Sequence, residues 1–353
     1  MKKSRSYHIF LFLSTFTRGL VEVFSLVLLY KKGFSIANIF FFLFVMYTIG
    51  ILVNYISLRL SYKIILIGSS ILFGISFLYL SFMDTKFYSL ILLAILLACS
   101  NYSYHAIRHL LALELLDDYE QSTRRIVTIT YLGIIASSIV GIYLIDRLPL
   151  IVTSIIIFIL SFLAMIPVLK LNNNCFLDSK IHLTDVRIEK DKVLFSILEQ
   201  FKVIFLEIQP LFLYLYVEQS IYYVGIFNVI VNLASLIVVY FLAKRIGKRY
   251  FKYVCFLLGF IFVLKLNIRS GIFLLGLAFL EGIFVKIYEN VSLGNLYSVG
   301  NHSIREYLIV EELIFFISKS IIMGIVCLFH FNIYIVMYIG IVGMILSGFF
   351  IRK

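Results

Sequence analysis

Apolar runs of about 20 residues recur from one end of this chain to the other, parted by short polar gaps, and each can cross the hydrocarbon core of a bilayer as a helix. Cutting at charge and turn signals gives twelve, at about 8–30, 36–57, 63–83, 87–107, 125–145, 149–170, 194–217, 221–243, 251–269, 271–292, 305–328 and 332–351. The alternation of a lipid-facing strand is absent. Backbone in lipid must hydrogen-bond to itself, so helices are the remaining choice. The expected fold class is an all-α membrane protein with about 12 transmembrane helices. Composition agrees: 62% of the residues are hydrophobic, 14% are charged and the mean hydropathy is +1.05, too apolar for a surface in water.

The net charge of +12 is a matter of topology rather than of nucleic acid. Twenty-one of the 31 Lys and Arg residues fall in one alternate set of gaps (the N-terminus, 58–63, 108–125, 170–193, 244–252, 293–305 and the C-terminus). The opposite set holds Lys31, Lys32, Lys86, Arg147 and Arg269. That asymmetry puts both termini in the cytoplasm of a multi-pass inner or plasma-membrane protein. No soluble segment is large enough to carry a basic nucleic-acid face. The basic start leads into a run too long for a signal peptide and reads as the first span. The scattered Cys99, Cys175, Cys255 and Cys327 have no metal or disulfide spacing. Neither a nucleotide-binding loop nor a hydrolase motif occurs. No cofactor, metal or catalytic residue is therefore expected.

The longest polar stretch divides the chain into an N-terminal six-helix bundle (1–170), a cytoplasmic linker (171–193) and a C-terminal six-helix bundle (194–353). The halves read as copies. Shifted by 185, the segment from Glu22 lies over that from Glu207, and Ser35 over Ser220. Shifted by 186, Arg59 to Lys63 lies over Arg245 to Arg249. A parallel repeat of six spans is a transporter architecture.

The loop after the second span of each half carries a resemblance. Tyr240-Phe-Leu-Ala-Lys244-Arg245-Ile-Gly247-Lys248-Arg249 is similar to the G-x-x-x-D-R-x-G-R-R signature of the major facilitator superfamily, with Lys244 at the acidic position. Asn54-Tyr-Ile-Ser-Leu58-Arg59-Leu-Ser61-Tyr-Lys63 keeps Arg59 and Lys63 and lacks the glycine and aspartate. The resemblance implies two pseudo-symmetric six-helix bundles. It also implies that Arg59, Lys63, Arg245, Lys248 and Arg249 form gating loops, and that the first, fourth, seventh and tenth spans line a central cavity.

Charge inside a span is costly and marks a cavity or a partner. Arg18 and Glu22 lie in the first span, His105 and Arg108 end the fourth, Glu199, Lys202 and Glu207 are in the seventh, and Glu281, Lys286 and Glu289 are in the tenth. Lys265 ends the ninth, and Glu311, Glu312 and Lys319 are in the eleventh. Spacing of three or four lets Arg18 and Glu22, His105 and Arg108, and Lys286 and Glu289 meet on one face. Glu312 and Lys319, seven apart, also share a face. Glu22 and Glu207 match in the repeat. The substrate and proton pathway expected is Arg18, Glu22, His105, Arg108, Lys202, Glu207, Glu281, Lys286 and Glu289.

These features point to a secondary active transporter, not an enzyme. It would work by alternating access, be coupled to protons and act on a small solute as a monomer in the bilayer. The bias toward Ile, Phe, Lys and Tyr suggests a bacterial genome. An intramembrane enzyme acting on lipid-linked substrates would need more carboxylates in its outer turns than Asp84, Asp146 and Glu218. A non-transporting membrane subunit or immunity protein is the other alternative.

Overall fold

The computed structural model describes residues 2–57, 60–115, 119–170, 190–241, 248–297 and 304–350, without the side chains of 2–5, 106, 109–115, 119–124, 241, 248, 293–297 and 304–309. Among the described residues there are helices and turns and no strand. The helices are α1 (Lys2–Glu22), α2 (Ser25–Lys31), α3 (Ile36–Ser57), α4 (Tyr62–Phe82), α5 (Phe87–Leu115), α6 (Tyr119–Arg147) and α7 (Leu150–Leu169). They continue with α8 (Lys190–Tyr216), α9 (Ile221–Phe241), α10 (Phe251–Asn267), α11 (Gly271–Tyr297), α12 (Ile304–Leu328) and α13 (Ile333–Ser347). A single 3₁₀ turn, Lys248–Tyr250, precedes α10.

The first span, continuous in the sequence reading, is broken here: α1 and α2 together make the apolar stretch Ser6–Lys31. The Ser25 hydroxyl donates to the Glu22 carbonyl at 2.9 Å, and the Phe24 N–H donates to the Val21 carbonyl three residues back. A serine that takes a helical carbonyl, with a tightened turn beside it, interrupts the regular ladder. With α1 and α2 counted as one span, the described helices give the twelve expected. Eight of them are long and apolar enough by themselves to cross a membrane. The other four have evident reasons to fall short. The helices α10 and α13 have 17 and 15 residues. Inside α8 lie Glu199, Lys202 and Glu207, and inside α12 lie Glu311, Glu312 and Lys319.

The chain forms two compact units, Met1–Ile181 and His182–Lys353. In the first, α1 packs on α6 and α7, α3 on α5, and α4 on α5 and α7. In the second, α8 packs on α12 and α13, α9 on α11, and α10 on α11 and α13. Counted span by span, this is one packing plan used twice, and the protein is a multi-pass membrane protein of two pseudo-symmetric six-helix bundles. Backbones approach closely at small residues, as in other lipid-embedded packings. At Gly141 of α6 an added Cβ would lie 2.6 Å from the Leu20 carbonyl oxygen of α1. Between α2 and α3, Gly33 has φ +100, which glycine alone adopts without strain. It closes α2 with the Phe34 N–H on the Leu29 carbonyl, a Schellman cap.

Candidate functional site

In the first unit, Arg18 is the one buried charged side chain among the described residues, 4% exposed. Its spacing placed it on a face with Glu22, but the guanidinium turns to α4 and α5. It donates to Ser100 Oγ at 3.2 Å and to Asn101 Oδ1, and more weakly to the Ser100 carbonyl at 3.4 Å and to Ser69 at 3.5 Å. Its flat faces lie 4.6 Å from the Phe73 ring centroid and 4.3 Å from that of Tyr104, within cation–π range. Glu22, at the end of α1, is exposed, and its charge acts on Arg18 and Tyr102. His105 stands edge-on to Tyr104, with ring centroids 5.4 Å apart. The Arg108 guanidinium is 5.7 Å from the Tyr104 centroid, and its carbonyl accepts from Tyr7 Oη at 3.2 Å.

Among its described residues, the second unit holds most of its buried charge as acid–base pairs. Lys265 of α10 meets Glu281 of α11, at 2% and 1% side-chain exposure, and Gln209 of α8 donates to the same carboxylate at 3.4 Å. Rings of Phe227, Phe262 and Phe205 surround the Lys265 ammonium at 4.7, 5.2 and 5.8 Å. Lys202 meets Glu199 at 3.4 Å and lies 4.1 Å from the Tyr288 centroid. Ser292 donates to both Glu199 oxygens at 3.1 Å. Lys286 and Glu289 join at 3.1 Å within α11. Lys319 of α12, placed by spacing on a face with Glu312, reaches across to Glu207 of α8 at 3.0 Å.

The gating loops are described only in part. Arg59 and Arg245 lie outside the described residues, as does the Lys248 side chain, and Arg249 is exposed. Lys63 donates to the Leu169 carbonyl at 3.1 Å, closing the end of α7.

Sequence reasoning noted Lys319, Lys265 and Glu199 as charges and left them out of the expected pathway. For Lys319 and Lys265 the partner lies on another helix, which spacing does not reveal, whereas Glu199 pairs with Lys202 three residues on in α8. Ser69, Ser100, Asn101 and Gln209 gave no signal, because neutral polar residues are common in such spans. Among the described residues no group of His, Cys, Asp and Glu is arranged to hold a metal ion.

The whole chain is similar in fold to solved membrane transporters. The human organic anion transporter MFSD10 (TETRAN) superposes with a TM-score of 0.70 at 11% identity, over 99% of this chain and 98% of that one. A bacterial homologue of the iron transporter ferroportin in its outward-facing state gives 0.66 at 11% identity, over 99% and 97%. No family profile and no curated protein sequence matches the chain. The fold is that of the major facilitator transporters.

Proposed function

We propose that this protein is a secondary transporter, moving a small solute across the cytoplasmic membrane by alternating access and coupled to protons. One observation supports the reading: at the repeat offset of 185 each half carries a carboxylate at the same position of its first span, and neither is fully buried within its own bundle. Glu22 is exposed, and Glu207 is 36% exposed while bound to Lys319. An ionisable group within a span is costly and belongs to a pathway. A proton on it lowers the cost of closing the path over it, and renewed access releases that proton. Arg18, His105, Arg108, Lys202, Glu281, Lys286 and Glu289 are the further pathway residues. Arg59, Lys63, Arg245, Lys248 and Arg249 serve as gating loops. The protein acts as a monomer with both termini in the cytoplasm. Of the two similar structures, one is named for organic anions and the other for iron, so fold alone selects no substrate.

The test is a proteoliposome uptake screen with an imposed pH gradient. Accumulation of a solute that a protonophore abolishes is the expected result. Glu22→Gln and Glu207→Gln should remove gradient-driven uptake while still reaching the membrane. Wild-type uptake by both variants refutes their role.

A further inference from the structure

Glu199, Glu207, Glu281 and Glu289 each have a lysine within ion-pair distance. Glu311 of α12 is buried, 6% exposed, and has none among the described residues. Its hydrogen-bond partner is a neutral one, the Ser196 hydroxyl of α8, which donates to Oε1 at 3.3 Å. The charges that act on it are Glu199 and Lys192 of α8 and Glu312 of its own helix. The buried cation nearby in the sequence of α8, Lys202, is engaged by Glu199 and by the Tyr288 ring of α11. The charges of two other carboxylates and of the Lys192 ammonium thus act on Glu311, while the buried ammonium of this region, Lys202, is paired with Glu199. An ionised carboxylate in that setting is cut off from water and has no lysine within ion-pair distance among the described residues, and a neutral carboxylic acid is far less costly to bury there.

We infer that Glu311 is a proton-binding site, occupied in this conformation and emptied when α8 and α12 part enough to admit water. The bound species is a proton on a carboxyl oxygen. On release that O–H bond breaks, the proton leaves to water and a carboxylate remains. The inference deepens the transport reading, because a proton held here is the coupling ion at rest.

The experiment is infrared spectroscopy of the full-length protein in lipid nanodiscs at neutral pH. The wild type minus Glu311→Gln difference spectrum should contain the C=O stretch of a protonated carboxylic acid, and Glu312→Gln should keep that band. Ser196→Ala, which removes the hydrogen bond to Oε1, should move the band to higher wavenumber, and it serves if Glu311→Gln does not fold. No protonated-acid band, or one that survives Glu311→Gln, overturns the assignment. In proteoliposomes, Glu311→Gln should lose accumulation driven by the pH gradient while equilibrium exchange of the same solute continues. Undiminished gradient-driven accumulation overturns the coupling role. Failure of the transport reading would appear separately, as absence of any uptake by the wild type with the infrared band intact.

Discussion

The two bundles share a packing plan and treat buried charge in opposite ways. The first keeps one guanidinium, Arg18, among neutral oxygens of α4 and α5 and between two aromatic faces. The second sets lysines against carboxylates and so links α8, α10, α11 and α12. Neutral dipoles and ring faces stabilise a cation without cancelling it, so the first arrangement retains a positive potential. Ion pairs cancel charge, and each half of a pair becomes indispensable to the other.

The sharpest way to break that contrast is to remove one partner in each bundle. Lys265→Met strands Glu281 in an apolar box and should cost about 3–5 kcal/mol of stability, seen as loss of a monodisperse peak or a large drop in melting temperature in detergent. The double variant Lys265→Met, Glu281→Leu should recover most of it. Arg18→Met leaves neutral acceptors and the exposed Glu22 behind and should cost less, about 1–3 kcal/mol, in the same measurement. Equal losses for Lys265→Met and Arg18→Met would mean that Arg18 has an ionised partner after all. Gly141→Val, which leaves every charge in place, tests the shared plan instead. Its branched side chain meets the Leu20 carbonyl and the Phe24 ring, and overpacking of this kind costs about 1–3 kcal/mol.

The smallest effect is in the turn between α4 and α5. There the Ser89 hydroxyl and the Lys86 side chain and N–H hold the Asp84 carboxyl below its ordinary value. A depressed carboxyl contributes stability above its unfolded value and loses it as pH falls through the folded one. Asp84→Asn should therefore lower the melting temperature slightly at neutral pH and leave it nearly unchanged at acid pH, so that the profile flattens.

Most of the architecture was legible in the sequence, because span length is a constraint imposed by the bilayer. The offset of 185 between Glu22 and Glu207 anticipated the repeated plan seen when α1 with α6 and α7 is set beside α8 with α12 and α13. The break after Glu22 was not legible. It depends on whether the Ser25 hydroxyl turns to the Glu22 carbonyl, and serine in a helix does so in some contexts only. The intramembrane charges were visible one by one, and helical spacing located Lys286 with Glu289. It could not find Lys319 with Glu207 or Lys265 with Glu281, since contacts between helices depend on rotation and depth, which periodicity leaves undetermined.

Lys32, in the turn that follows α2, donates to the carbonyls of Ser81 at 3.2 Å and Met83 at 3.0 Å. It therefore works as a buckle between the adjoining tips of the first and third spans. The seven-residue segment beyond the Glu22 break is fastened at both ends, by the chain on one side and by this ammonium on the other. Any swing of that segment must carry the tip of α4 with it or undo two hydrogen bonds at once.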